Sequence, residues 1–175
     1  MTRPPQSFGL VGRSGSGKTT LAVRLIPELK SRGYRVSTVK HTHHAVDIDR
    51  PGKDSYAHRE AGAEEVMIAS AKRWALMHEL RGEEEPKMDA LVAIMTPVDL
   101  ILIEGFKNHA YPKLEVYRPT LGKSPLYKTD PAIIAVAGDE KPDDLSRPYL
   151  DLNDTATIAD FILDTVGLEK KKESS

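Results

Sequence analysis

A glycine-rich segment near the start of the chain limits the possible folds more than any other feature. Residues 12–19 read Gly-Arg-Ser-Gly-Ser-Gly-Lys-Thr and match the phosphate-loop pattern G-x-x-x-x-G-K-[ST]. A short apolar run at 7–11 precedes this segment, and Leu21, Leu25 and Leu29 follow it at helical spacing. The order predicts a buried strand, a phosphate-binding loop and an amphipathic helix, rather than a glycine-rich turn without a ligand.

The residue types in this segment predict how it would hold a nucleotide. Glycines allow the backbone to turn its N–H groups onto phosphate oxygens, and the N-terminus of a helix favours an anion. Lys18 would supply a mobile charge to the β- and γ-phosphates, and Thr19 a hydroxyl to Mg²⁺. The predicted nucleotide-binding residues of the loop are Gly12, Arg13, Ser14, Gly15, Ser16, Gly17, Lys18 and Thr19.

The rest of the chain alternates predicted strands and helices. Strands are expected over 7–11, 34–40, 66–69, 74–78, 98–104, 114–117 and 133–137, with 66–69 and 74–78 as a possible hairpin. Helices are expected over 18–32 (with a kink at Pro27), 54–61, 87–95 and from about 154. This alternation predicts an α/β fold: a mostly parallel sheet with helices on both faces, plus a small antiparallel portion. We expect one nucleotide-binding domain over residues 1–170 and a flexible charged tail at 171–175.

An acidic residue ends the most apolar strand. Leu100–Ile103 leads directly into Glu104, and parallel strands carry their ligands at the carboxyl ends. Glu104 is therefore the candidate acid for holding the metal together with Thr19. Asp99 begins the same strand, roughly 16 Å away, and is too distant to share that metal. The alternative for Glu104 is a surface glutamate that closes a strand.

A polar cluster follows the second predicted strand. Lys40 and His41 end that strand, and His43, His44 and Asp47 come next, with Asp49 two residues later. The cationic groups would contact phosphate or a partner, and Asp47 or Asp49 would hold Mg²⁺ or position water. A transition-metal site and a solvated loop are the alternatives, since imidazole also suits zinc and nickel.

Two single residues have weaker interpretations. Arg13 occupies the second position of the loop, where it would either act as a positive finger towards a partner's nucleotide or remain solvated. Asp139 follows the strand at 133–137, where a carboxylate would read the guanine edge. The Asn-Lys-x-Asp sequence that is usual for guanine readers is absent, so a plain turn is the alternative.

Charge and cysteine content exclude several classes of function. The chain has 25 Lys+Arg and 26 Asp+Glu, a net charge of −1, which argues against coating of nucleic acid or an anionic membrane. The first 60 residues are locally basic, which favours a small anionic ligand. The absence of cysteine excludes disulfides, thiolate metal sites and a cysteine nucleophile, and is compatible with a reducing cytosol. No run approaches the length of a membrane span or of a secretory signal.

Several motifs in sequence order resemble a known family. The phosphate loop, 38–44, 47–55, 60–63 and Asp99–Lys107 together resemble the molybdopterin-guanine dinucleotide biosynthesis protein B (MobB) family. The resemblance implies a cytoplasmic, dimeric GTP-binding protein with weak GTPase activity. It further implies a role as accessory to the guanylyltransferase that attaches GMP to molybdopterin.

The resemblance also implies roles for particular residues. Residues 12–20 would hold the phosphates, which adds Thr20 to the loop residues named above. The segment 41–49 would form part of a nucleotide or partner surface. The predicted catalytic residues are Lys18, Thr19 and Glu104, and the predicted Mg²⁺ ligands are Thr19, Glu104 and Asp49. The predicted partner or ligand surface comprises Lys40, His41, His43, His44, Asp47, Lys53, Asp54 and Lys107.

Three other functions remain open from the residues. A small-molecule kinase would use 119–131 as a lid, although that stretch offers Lys123 and Lys128 and no arginine. A nickel-insertion GTPase would use the histidines of 41–44. A non-enzymatic carrier of nucleotide or cofactor precursor would need no turnover. Slow hydrolysis is expected because neither a catalytic glutamine nor a general base is identifiable.

Overall fold

The computed structural model describes residues 4–42, 48–105, 110–169 and 171. The chain divides into two compact units, Met1–His41 with Thr96–Ser175, and Thr42–Met95. Each unit is described separately below. In the part of the chain that the structure describes, no helix is long and apolar enough to cross a membrane.

The described residues of the first unit form six parallel strands and two helices. The strands are β1 (Gln6–Val11), β2 (Val36–Lys40), β5 (Leu100–Glu104), β6 (Lys113–Val116), β7 (Ile133–Gly138) and β8 (Tyr149–Asp151), in the order β2-β5-β1-β6-β7-β8. The helices are α1 (Lys18–Ser31) and α4 (Thr155–Thr165), and a single 3₁₀ turn covers Pro119–Leu121.

The core of this unit follows from the alternation of side chains along the strands. Phe8 and Leu10 of β1 are fully buried and pack in one cluster with Leu25 of α1 and Ile158 of α4. Val11 points to the opposite face, as the period of two requires, and packs in a second cluster with Ile133, Val136 and Tyr127. The sheet therefore holds α1 and α4 against one face.

The described part of the second unit, 42 and 48–95, forms a hairpin and two short helices. β3 (Glu65–Ala69) and β4 (Trp74–His78) pair antiparallel, and the helices are α2 (Asp54–Glu60) and α3 (Met88–Ala93). Val66 and Met77 are buried, while large apolar side chains on both strands remain exposed. These exposed residues are Met67, Ile68, Trp74 and Leu76.

The predicted α/β class, the mostly parallel sheet and the hairpin are confirmed. The placement of helices on both faces differs for the described residues of the first unit: α1 and α4 share one core cluster, and the cluster on the other face is closed by Tyr127 and Leu126 of the segment after β6. The second strand begins at Val36 rather than at 34, because Tyr34 packs into the core and donates its hydroxyl to the Glu169 carbonyl at 2.7 Å. β8 was not predicted from the sequence, because it has only three residues and none of them is fully buried. Pro27 lies inside α1.

Candidate nucleotide-binding site

The candidate site lies where the parallel strands end. Leu10 of β1 pairs in register with Glu104 of β5, and Lys40 of β2 pairs with the same Glu104. On the other side of β1, Val11 pairs with Glu115 of β6. The segment 12–17 leaves this edge directly and enters α1, so the residues that follow four adjacent strands meet beside it.

The backbone of the loop between β1 and α1 depends on glycine. Gly12 has a φ of +147°, Gly15 of +84° and Gly17 of +104°. A Cβ on Gly12 would lie 2.4 Å from the Val116 carbonyl oxygen, so the loop passes directly against β6. Gly17 is the N-cap of α1, so no N-cap side chain bonds to the first amide groups of the helix. The amide groups at this helix end are therefore arranged as an anion site requires.

Thr19 and Glu104 are in contact at this edge of the sheet, and Lys18 lies over the loop. The Thr19 hydroxyl donates to Glu104 Oε1 at 2.9 Å, which joins the first turn of α1 to the end of β5. Lys18 Nζ donates to the Arg13 carbonyl at 3.1 Å and so curls over the loop. A hydroxyl and a carboxylate that converge beside a phosphate loop are the hard oxygen donors that Mg²⁺ prefers. The residues present therefore fit Mg²⁺.

Further contacts hold the neighbouring strand end against this site. His41 N donates to the Glu104 carbonyl at 2.8 Å. A Cβ on Gly105, whose φ is +106°, would lie 2.9 Å from the His41 carbonyl oxygen. The strand ends of β2 and β5 thus approach closely, and His41 lies beside the backbone of Glu104.

A second cationic segment packs against the loop, and its residue Arg118 was not predicted from the sequence. Arg118 Nε donates to the Ser16 carbonyl at 3.1 Å, and Lys123 Nζ donates to the Ser14 carbonyl at 3.2 Å. Arg13 reaches in the other direction, with Nε donating to the Ser124 carbonyl at 3.1 Å. The signal for Arg118 was its position directly after the end of a strand, two residues beyond Val116.

Asp139 lies within this group of contacts. Arg118 Nη1 forms an ion pair with Asp139 Oδ2 at 2.7 Å. Asp139 follows Gly138 at the end of β7, and Tyr117 N donates to the Ala137 carbonyl at 2.9 Å. The predicted base reader and the phosphate loop are therefore linked through one arginine.

A buried glutamate fixes the segment that carries these cations. Glu115 on β6 is fully buried, and its carboxylate accepts hydrogen bonds from Leu126 N and from Tyr127 N at 2.7 Å. Burial raises the pKa of Glu115, against the opposing effect of these backbone donors and of the Arg13 charge. The carboxylate closes the segment between 117 and 126 into a loop over the sheet edge.

Other predicted site residues belong to the second unit or fall outside the described ranges. Asp49 is buried, and its Oδ1 accepts from the Ser55 hydroxyl at 2.9 Å. With Lys53 and Asp54 it lines a pocket of about 610 Å³ between α2 and β3. The predicted residues outside the described ranges are His43, His44, Asp47 and Lys107. Within 4–42, 48–105, 110–169 and 171, no three His, Cys, Asp or Glu side chains group as a metal site.

The first strand of this parallel sheet enters a helix through a phosphate-binding loop, and a lysine and a metal-compatible hydroxyl lie at the start of that helix. This arrangement defines the class of P-loop nucleotide-binding proteins. The chain belongs, within that class, to the family of molybdopterin guanine dinucleotide synthesis protein B, whose family model matches residues 7–139.

Individual relatives agree with this assignment. A molybdopterin-guanine dinucleotide biosynthesis adapter protein of Escherichia coli is 46% identical over 154 residues, which cover 86% of this chain and 87% of the relative. The protein of the same name from Haemophilus influenzae is 44% identical over 160 residues, 89% of this chain and 86% of the relative. A crystal structure of molybdopterin-guanine biosynthesis protein B, 30% identical, superposes with a TM-score of 0.71 over 90% of this chain and 98% of that one.

Proposed function

We propose that the chain is a GTP-binding adapter of molybdenum cofactor biosynthesis. In this role it assists the guanylyltransferase that joins GMP to molybdopterin. The single observation that carries the nucleotide part is the contact of Thr19 with Glu104 at the start of α1, beside the phosphate loop. The family membership and the names of the relatives support the biosynthetic part.

In this proposal each part of the site has one task. The amides of 12–20 bind the phosphate oxygens, and Lys18 places its ammonium on the β- and γ-phosphates. Thr19 and Glu104 hold Mg²⁺, which supplies positive charge to the phosphates when it is bound. Asp139 reads the guanine edge. Asp49 belongs to the second unit, and we retain it only as a further candidate for the metal.

We expect slow hydrolysis of the bound GTP. The sequence contains a single glutamine, Gln6, and it begins β1 at the edge opposite the phosphate loop. The strand from Gln6 to Val11 separates that amide from the phosphates by roughly 16 Å. A water-positioning glutamine of the kind that fast GTPases use is therefore absent from the site. Slow turnover suits an adapter that holds a nucleotide.

We further propose that the chain forms a homodimer. The support lies in the hairpin of the second unit, where Met67, Trp74 and Leu76 expose apolar side chains on adjacent strands. A second copy that packs on this hairpin would remove these side chains from water. Sedimentation equilibrium tests this proposal: the wild type should sediment as a dimer and Trp74→Glu as a monomer. A wild type that sediments as a monomer, like the variant, would contradict it.

The nucleotide part is tested by competition and by a matched pair of variants. A fluorescent GTP analogue is displaced by GTP or ATP, with and without Mg²⁺. Glu104→Gln should remove most of the Mg²⁺ dependence of GTP affinity. Asp99→Asn, directly before the start of β5 and far from the phosphate loop, should leave it unchanged. Preference for ATP, or the same loss in both variants, would refute the assignment.

The biosynthetic part needs the partner enzyme. Purified guanylyltransferase is assayed for molybdopterin guanine dinucleotide formation, with and without the chain. Stimulation by the wild type, and less stimulation by Lys18→Ala, are expected. No stimulation at saturating GTP would contradict the adapter role.

A further inference from the structure

We propose that Arg118 makes guanine recognition by Asp139 depend on the phosphates of the same nucleotide. This inference rests on the proposed GTP binding and adds a coupling between the two ends of the ligand. The guanidinium exchanges one partner, the Asp139 carboxylate, for another, the phosphate chain. Asp139 then turns both of its oxygens to the guanine edge.

The geometry places Arg118 between the two parts of the site. Its Nε donates to the Ser16 carbonyl of the phosphate loop, and its Nη1 holds Asp139 Oδ2 at 2.7 Å. Its Nη2 lies 3.8 Å from the point where a Cβ on Gly17 would stand. Gly17 is the N-cap of α1, where phosphate oxygens bind. The guanidinium therefore reaches the phosphate position and Asp139 from one place.

Hydrogen bonds hold the backbone on both sides of Arg118, and on the C-terminal side the Arg118 carbonyl accepts from Leu121 N at 3.1 Å. Tyr117 N donates to the Ala137 carbonyl at 2.9 Å, which fixes the start of this segment to the end of β7. A Cβ on Gly138 would lie 2.6 Å from the Tyr117 carbonyl oxygen, so the two chains are in close contact. An exchange of partners by Arg118 therefore takes place by rotation of its side chain.

The energetics favour an exchange when phosphate is present. The side chains of Arg118 and Asp139 are 37% and 44% exposed, so water screens their ion pair. A phosphate chain carries more charge than one carboxylate and accepts the planar guanidinium through two parallel hydrogen bonds. The neutral Ser16 carbonyl is also a weaker acceptor than a phosphate oxygen. Arg118 therefore gains on both of its contacts by turning to the nucleotide.

The exchange changes what Asp139 is able to recognise. Guanine presents two N–H donors on one edge, and a carboxylate matches them when both of its oxygens accept. While Arg118 holds Oδ2, the negative charge of the carboxylate is partly neutralised and one oxygen is engaged. A nucleotide with a longer phosphate chain draws the guanidinium away more strongly. Discrimination between guanine and adenine should therefore increase with the number of phosphates.

Lys123 provides the matched control for Arg118. It lies in the same segment and donates to the same loop, at the Ser14 carbonyl, and no contact with Asp139 is present among the described residues. Lys123→Gln removes one positive charge near the phosphates, as Arg118→Gln does. A general loss of electrostatic attraction would affect both variants alike, whereas a loss of coupling would affect only Arg118→Gln.

The experiment measures the Kd of adenine and guanine mono-, di- and triphosphates by displacement of a fluorescent GTP analogue. At each number of phosphates, the Kd of the adenine nucleotide is divided by the Kd of the guanine nucleotide. In the wild type the ratio should increase at least tenfold from monophosphate to triphosphate. In Arg118→Gln the ratio should favour guanine and vary by less than twofold along the series. Lys123→Gln should keep the wild-type increase with weaker binding throughout. Asp139→Asn, a second variant, should bring the ratio near one for every nucleotide.

The outcomes separate the coupling from the proposed function. A wild-type ratio that favours guanine equally at every phosphate number would overturn the coupling and leave GTP binding intact. An increase that persists in Arg118→Gln would overturn it as well. A wild-type ratio near one for triphosphates would remove guanine recognition itself, and the coupling with it. Circular dichroism of each variant confirms that the fold is retained before its ratios are compared.

Discussion

Gly12→Ala tests the closest backbone approach in the site. A Cβ at this position would lie 2.4 Å from the Val116 carbonyl oxygen and 2.7 Å from the Ser16 hydroxyl. The carbonyl belongs to β6, which pairs with β1 directly beside the loop, so it has no free space into which to withdraw. Gly15→Ala is the matched control, because its φ of +84° is also left-handed but no heavy atom lies within 4 Å of the added Cβ.

The expected magnitude follows from the difference between the two glycines. Each substitution places a side chain at positive φ, which costs about 1–3 kcal/mol. Only Gly12→Ala adds overpacking against a backbone atom, which costs a further ~1–3 kcal/mol. Both variants incur a backbone cost of this kind, and the overpacking should make Gly12→Ala the less stable of the two by about 1–3 kcal/mol in the free energy of unfolding. That difference is a large fraction of the stability of an ordinary domain.

Urea unfolding followed by far-ultraviolet circular dichroism measures this difference. Fluorescence is a poor substitute, because the single tryptophan, Trp74, lies on β4 in the second unit. GTP affinity measured in parallel should fall more in Gly12→Ala, since the loop must move away from β6. Equal stabilities, or a less stable Gly15→Ala, would refute the close approach of the loop to Val116.

Two further predictions concern Lys18 and Glu115. Lys18→Ala should weaken GTP binding by about 1.5–3 kcal/mol, roughly 10- to 150-fold, without a change in melting temperature, and unchanged affinity would refute the phosphate-loop assignment. Because burial raises the pKa of Glu115 above its ordinary value of 4.5, the folded state binds that proton more tightly than the unfolded chain. The stability from this group should therefore be present in acid and decline as pH rises from about 4.5 through the raised value, and urea titrations of Glu115→Gln should lack this decline. An identical pH dependence in the variant would show that Glu115 does not titrate in this way.

The sequence could predict the parts of the site that are local or lie at strand ends. The spacing of Gly12, Lys18 and Thr19 determines how the chain turns from a strand into a helix, so the loop was predictable from its own residues. Glu104 was predictable because parallel strands place their carboxyl ends at one edge. Its contact with Thr19 confirms that the two residues meet.

The missed residues depend on contacts between distant segments. Arg118 acquires its place because β6 lies beside β1 and β7, an order that no local pattern reveals. Tyr34 looked like the start of a strand, yet its ring is buried and its hydroxyl bonds to Glu169 at the far end of the chain. In both cases the tertiary neighbours decide the position.

The four residues of β6 carry a consequence for how the sheet aligns during folding. Leu114 and Val116 pack in the cluster with α1, while the buried Lys113 and Glu115 point to the other face. There Lys113 pairs with Asp130 at 2.8 Å, and Glu115 accepts from the amides of Leu126 and Tyr127. A shift of one residue would drive both charges into the apolar core without partners, at a cost of several kcal/mol. The two charges thus act as a register mark that selects one alignment of β6 between β1 and β7.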